Sequence, residues 1–159
     1  MSLLFPYQPE AIQGQLPPTL PGGTTHRFRP LVSVRIVNPI SKRNWRYAKV
    51  LADSGSDDSI FPISAVGLIG LRSDQLLSTR FHVVWRGTAW PLQFGDVELE
   101  LNDGQCLCRW LTRVAFSPMP TRFPILGQAG CLQFFNATFR GEDHITELEP
   151  IPTFPGTIS

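Results

Sequence analysis

No stretch of this 159-residue chain approaches the ~20 consecutive apolar residues of a membrane helix. Charge is equally sparse: 17% of residues are charged and the net value is +1, so no electrostatic footprint for nucleic acid or an anionic membrane is present. Cysteine is scarce and odd in number. Cys106, Cys108 and Cys131 cannot all pair within one chain, and the Cys-x-Cys spacing lacks the second ligand pair that a zinc site needs. They read as buried free thiols in a reducing compartment. His26, His82 and His144 lie far apart and form no metal-like spacing. The start, "MSLLFPYQPEAIQGQLPP", has no basic residues followed by a long apolar run, so it does not read as a signal peptide. A cytoplasmic chain with neither nucleic acid nor membrane among its partners is expected.

What is present is an apolar share of 42%, ordinary for a globular chain and too high for a disordered one. The length suits one domain. Residues Met1 to Thr25 are rich in proline and glycine and read as an extended arm. Residues 26–150 read as the domain, and 151–159 as a tail. Within the domain, "LVSVRIV", "RYAKVLA", "TRFHVVW", "VELEL" and "QCLCRWLTRVAF" have the β-branched or alternating texture of strands. Turn signals separate them, such as Asn102-Asp103-Gly104. "RGTA" reads as a hairpin tip near Arg86 and Gly87, and "PISAVGLIG" as one short helical turn. "QAGCLQFF" is the one candidate for a longer helix. An all-β domain follows.

The stretch with chemical content is "KVLADSGSDDSIFP", Lys49 to Pro62. A strand runs into Asp53-Ser54-Gly55, two further aspartates follow, and the chain turns apolar again at Ile60. The glycine permits a sharp turn and a close backbone approach. The hydroxyl can brace the loop by local hydrogen bonds. The acid then stands near apolar walls, where its proton affinity can be tuned. An Asx-type turn between two strands would give the same tripeptide, so its surroundings decide.

Those surroundings form a pattern. "VLADSGSDDSIFP" resembles the active-site loop of the retropepsin-like aspartic proteases. The family's second mark, an apolar-apolar-Gly triplet late in the chain, is matched by Ile125-Leu126-Gly127 in "PILGQAGCLQFF". The glycine-bearing hairpin called the flap is matched by "VVWRGTAW" between the two marks. The resemblance covers about Phe28 to Pro150. It implies a closed retropepsin-like β-barrel with a flap hairpin and one short helix in the C-terminal half.

It also implies a mechanism. One Asp-Ser-Gly supplies one carboxylate where peptide hydrolysis by this family uses two, so a homodimer would bring Asp53 and its symmetry mate together at a twofold axis. Peptide or protein is the implied substrate, and no metal or organic cofactor is required. Ser54 would brace the two loops and Gly55 would present its backbone to substrate. Asp57, Arg86, Gly87 and Ile125 would contact the peptide. The sequence departs from the family pattern twice. Retroviral relatives pair the Asp57 position with an arginine just after the triplet, where this chain has Gln128. Retroviral flaps carry several glycines, whereas this tip has Gly87 among Trp85, Arg86 and Trp90. Two rival readings accompany the protease. One is an inactive dimerisation or peptide-binding domain of the same fold. The other is a hard-cation loop built from Asp53, Asp57 and Asp58, which lacks the alternating oxygen ligands and distal glutamate of a calcium loop.

Overall fold

A computed structural model describes residues 1–159. Thirteen strands carry the fold: β1 (Leu3–Pro6), β2 (Gln8–Ala11), β3 (His26–Arg29), β4 (Leu31–Val37), β5 (Asn44–Ala52), β6 (Ile60–Pro62), β7 (Leu76–Trp85), β8 (Thr88–Asn102), β9 (Leu107–Ser117), β10 (Ile125–Leu126), β11 (Phe135–Arg140), β12 (Ile145–Pro150) and β13 (Thr157–Ile158). The single α-helix, α1 (Ser64–Leu68), lies between β6 and β7. No helix is long and apolar enough to cross a membrane.

The main sheet runs β13-β9-β6-β10-β5-β4-β8-β7, with β8 also paired to β9. Its core comes from alternation. On β8, Val97, Leu99 and Leu101 are fully buried, and β4 contributes Val32, Val34 and Ile36. Trp110 on β9 is the largest of the fully buried side chains; its indole N–H donates to the Gly130 carbonyl at 2.8 Å, and Phe135 and Phe154 meet its ring edge-on. Each such side chain contributes roughly 1.5–3 kcal/mol by leaving water. Glu100, also buried, is held between Arg109 and Arg35.

The fold class is all-β, but the expected closed barrel does not form. Strand pairings return on themselves from β9 through β6, β10, β5, β4 and β8, yet this ring of strands is not curled into a barrel. A barrel wall needs strands of comparable length in an even stagger. Here the 15-residue β8 and 11-residue β9 are linked through a three-residue β6 and a two-residue β10, which meet at one pair, Ile60 and Ile125.

The expected helix in the C-terminal half is also corrected. "QAGCLQFF" gives only a short 3-10 turn, Leu132–Phe134. Gly130 has a φ of +74°, and its carbonyl is occupied by Trp110 and Thr112 on β9, so the segment is tied to the sheet instead of to its own next turn. The first residues of the N-terminal segment are strands in their own right. β1 pairs with β12, burying Leu3 and Phe5, while β2 and β3 form a separate two-stranded ribbon.

A candidate active-site cleft

The acidic loop is suspended between two strands of opposite relation. β10 lies parallel to β5 and antiparallel to β6, so the loop's entry and exit are both stitched to the Ile125-Leu126-Gly127 triplet. The Asp53 N–H donates to the Leu126 carbonyl at 3.0 Å. The N–H groups of Gln128 and Ala129 donate to the Ser56 and Asp57 carbonyls, each at 2.8 Å. Below them the Gly127 N–H donates to the buried Ser59 hydroxyl at 3.0 Å.

Gly127 is required by this crossing. A Cβ there would stand 2.5 Å from the Asp58 carbonyl carbon and 2.8 Å from the Ser56 oxygen, well inside the ordinary carbon contact of about 3.5–4.0 Å. The triplet's glycine is therefore the condition under which two backbone segments meet beneath Asp53.

Asp53 itself is half-buried at the end of β5. Its Oδ1 accepts the Gly55 N–H at 2.9 Å, and no side chain or backbone group of the chain donates to Oδ2. The Ser56 hydroxyl donates to the Asp58 carbonyl at 2.8 Å and braces the second half of the loop. Burial raises the Asp58 carboxyl above the ordinary range, and the neighbouring Asp57 adds to it. None of Asp53, Asp57 and Asp58 has a basic side chain within ion-pair distance.

Over this loop lies the hairpin of β7 and β8. Arg86 (φ +48°) and Gly87 (φ +79°) form its two-residue turn between Trp85 and Thr88, as a tight hairpin of right-handed twist requires. The hairpin rests on a small second core of Ile60, Leu92, Ala115 and Met119, against which Val83, Trp90 and Ile125 pack. Between hairpin and loop is a cleft of about 340 Å³. Asp53, Asp57 and Asp58 line its polar side; Val83, Trp85, Leu92, Met119 and Ile125 line its apolar side, with His82 on the hairpin.

Of the residues singled out in the sequence, Asp53, Gly55, Asp57 and Ile125 face this one cleft. Arg86 and Gly87 stand exposed at the hairpin tip, with the Arg86 guanidinium 5.5 Å from the Trp85 ring centre. Ser54 is exposed; its carbonyl accepts the Gln128 side-chain amide at 3.1 Å. Sequence reasoning missed His82, Leu92 and Met119 as cleft residues, and Ser59 as the support beneath Gly127. The alternation of "TRFHVVW" could have placed Val83 and Trp85 on one face; nothing local marks His82 or Ser59. The three aspartates do not form a group that could hold a metal ion.

No family model matches the sequence, and no curated protein matches it either. Among solved structures, EIAV protease complexed with the inhibitor HBY-793 matches at a TM-score of 0.46 and 19% identity, covering 63% of this chain and 82% of that one. This is a weak, partial likeness to a retropepsin-type fold.

Proposed function

We propose that the protein is an aspartic endopeptidase whose active unit is a homodimer, with Asp53 of each protomer supplying one of the two catalytic carboxylates. The observation that carries this reading is the crossing under Asp53, where a loop of the pattern Asp-Ser-Gly-Ser-Asp is locked to an apolar-apolar-Gly triplet by main-chain bonds and faces a cleft beneath a hairpin. An Asx turn needs the tripeptide but has no use for a glycine five strands later in the chain with no room for a Cβ.

The chemistry follows from electrostatics. Two carboxylates ~3 Å apart cannot both ionise at low cost, so aspartic proteases hold one proton between the pair. The ionised member takes a proton from the attacking water, and the protonated member donates to the oxygen of the scissile carbonyl. The two carboxyls titrate as one unit. Within the protomer, Gly55 satisfies one Asp53 oxygen and the other has no partner, an arrangement suited to receiving water and a second carboxylate. The substrate is an extended peptide lying between the loop and the hairpin, with apolar side chains against Val83, Leu92, Met119 and Ile125. Asp57 and the Arg86-Gly87 tip contact its main chain, and Ser54 braces one loop against the other. The three free, buried cysteines suit a reducing compartment such as the cytoplasm.

A second reading keeps the dimer and the cleft but assigns only peptide binding. The bulky tip, with one glycine beside Arg86 and Trp85, favours it. Cleavage of a peptide mixture at mildly acid pH separates the two. The protease reading expects turnover by the native protein and none by Asp53→Asn. Equal turnover by both would end that reading, and tight binding of intact peptides by both would favour the second.

A further inference from the structure

Gln128 occupies the position at which the family pattern has an arginine, yet it pairs with no carboxylate. Its main chain is fully engaged: the N–H donates to Ser56 at 2.8 Å, and the carbonyl accepts Gln133 at 3.0 Å and Cys131 at 3.3 Å. With the backbone fixed on both sides, the side chain reaches one partner, the Ser54 carbonyl, at 3.1 Å. That carbonyl belongs to the same peptide unit as the Gly55 N–H, which donates to Asp53 Oδ1 at 2.9 Å.

A peptide unit is planar, so its carbonyl and N–H turn together. Ser54 and Gly55 are both exposed, and glycine on one side leaves this unit little intrinsic preference for one orientation. The amide of Gln128 supplies the preference, because holding the carbonyl outward keeps the N–H on the carboxylate. A donor on the carbonyl also polarises the unit and strengthens the N–H at its other end.

We infer that Gln128 is a positioning residue for Asp53, acting through the Ser54–Gly55 peptide unit. The inference rests on the reading of Asp53 as catalytic for its kinetic consequence, but not for its geometry. The loop bonded to Gln128 carries Asp53, Asp57 and Asp58, and β9, packed on its turn at Gly130, carries Arg113, which is paired with Asp96; the turn itself, from Ala129 to Gln133, carries no charge.

The test compares Gln128→Ala with Gln128→Glu, measuring kcat and KM across pH and, separately, the Gly55 amide resonance in 15N-labelled protein. An ionised glutamate accepts hydrogen bonds and donates none, whereas a protonated one regains an O–H donor. At about pH 6, above the ordinary glutamate range, both variants are expected to lose roughly five- to tenfold in kcat with KM little changed. As pH falls toward about 4.3, the Gln128→Glu deficit should close while the Gln128→Ala deficit persists. The Gly55 amide of Gln128→Glu should move toward its native position over the same range. Melting temperature and sedimentation confirm that the variants remain folded and assembled. Native kcat in Gln128→Glu at about pH 6, or deficits of the two variants that stay equal at every pH, would overturn the inference. If the native protein cleaves nothing, the protease reading fails while the Gly55 amide still decides this one: an amide unmoved by either substitution refutes it.

Discussion

Replacing Gly127 with alanine forces apart the two backbone segments that carry the acidic loop. The new methyl would lie 2.5 Å from the Asp58 carbonyl carbon, 2.8 Å from the Ser56 oxygen and closer still to the Asp58 oxygen. Carbon contacts relax near 3.5–4.0 Å, so the segments must part by about 1 Å. Three hydrogen bonds span the gap, from Gly127 to Ser59, Gln128 to Ser56 and Ala129 to Asp57. Each contributes about 1 kcal/mol, and overpacking in a filled site costs about 1–3 kcal/mol by itself. Because the segments can relieve the clash only by stretching those bonds, the expected loss is about 3 kcal/mol. That is a large part of the ~5–15 kcal/mol that holds a typical domain together. The assay is equilibrium urea unfolding followed by tryptophan fluorescence, at one protein concentration because any self-association couples to stability. Gly22→Ala is the control: nothing lies within 4 Å of a Cβ at Gly22, and a change within about 0.5 kcal/mol is expected. A loss below about 1 kcal/mol for Gly127→Ala would refute the close crossing.

Two further outcomes follow from the protonation chemistry of buried groups. The Asp58 carboxyl is raised by burial and then by Asp57, so the folded state binds its proton more tightly than the unfolded state does. Its contribution to stability is therefore complete below the unfolded carboxylate range and is lost as pH rises through the raised folded value. Asp58→Asn should melt higher than the native protein at neutral pH, and the gap should close on acidification; a pH-independent gap would contradict this. Burial holds the thiols of Cys108 and Cys131 up at about 12, and all three cysteines are buried. A thiol reagent at mildly alkaline pH should find none in the folded protein and three after denaturation, whereas rapid labelling without denaturant would show the core to be open.

The parts of the fold legible in the sequence are those fixed by local chemistry. Arg86-Gly87 and Asn102-Asp103-Gly104 end strands because their backbones adopt turns that few residue pairs accept, and the alternation of "VELEL" places Val97, Leu99 and Leu101 on one buried face. What was not legible depends on distant partners. Leu3 and Phe5 alternate with exposed neighbours, but prolines at 6 and 9 mask a strand that exists only because β12 offers an edge. The helix expected over "QAGCLQFF" gave way to two side chains of β9, Trp110 and Thr112, which capture the Gly130 carbonyl. Barrel closure depended on the lengths of β6 and β10, which no period within three or two residues can reveal. The candidate site divides in the same way. Asp53 and Gly127 stand out in the chain, while Met119 and Ser59 join them through tertiary contacts alone.

In the proposed dimer, one catalytic centre takes an aspartate from each of two chains. Titration with a tight-binding mimic of the tetrahedral transition state counts those centres directly, by the loss of cleavage against inhibitor added per chain. Complete loss is expected at one inhibitor for every two chains, with no binding to Asp53→Asn. Saturation at one per chain, or undiminished binding after Asp53 is replaced, would contradict it.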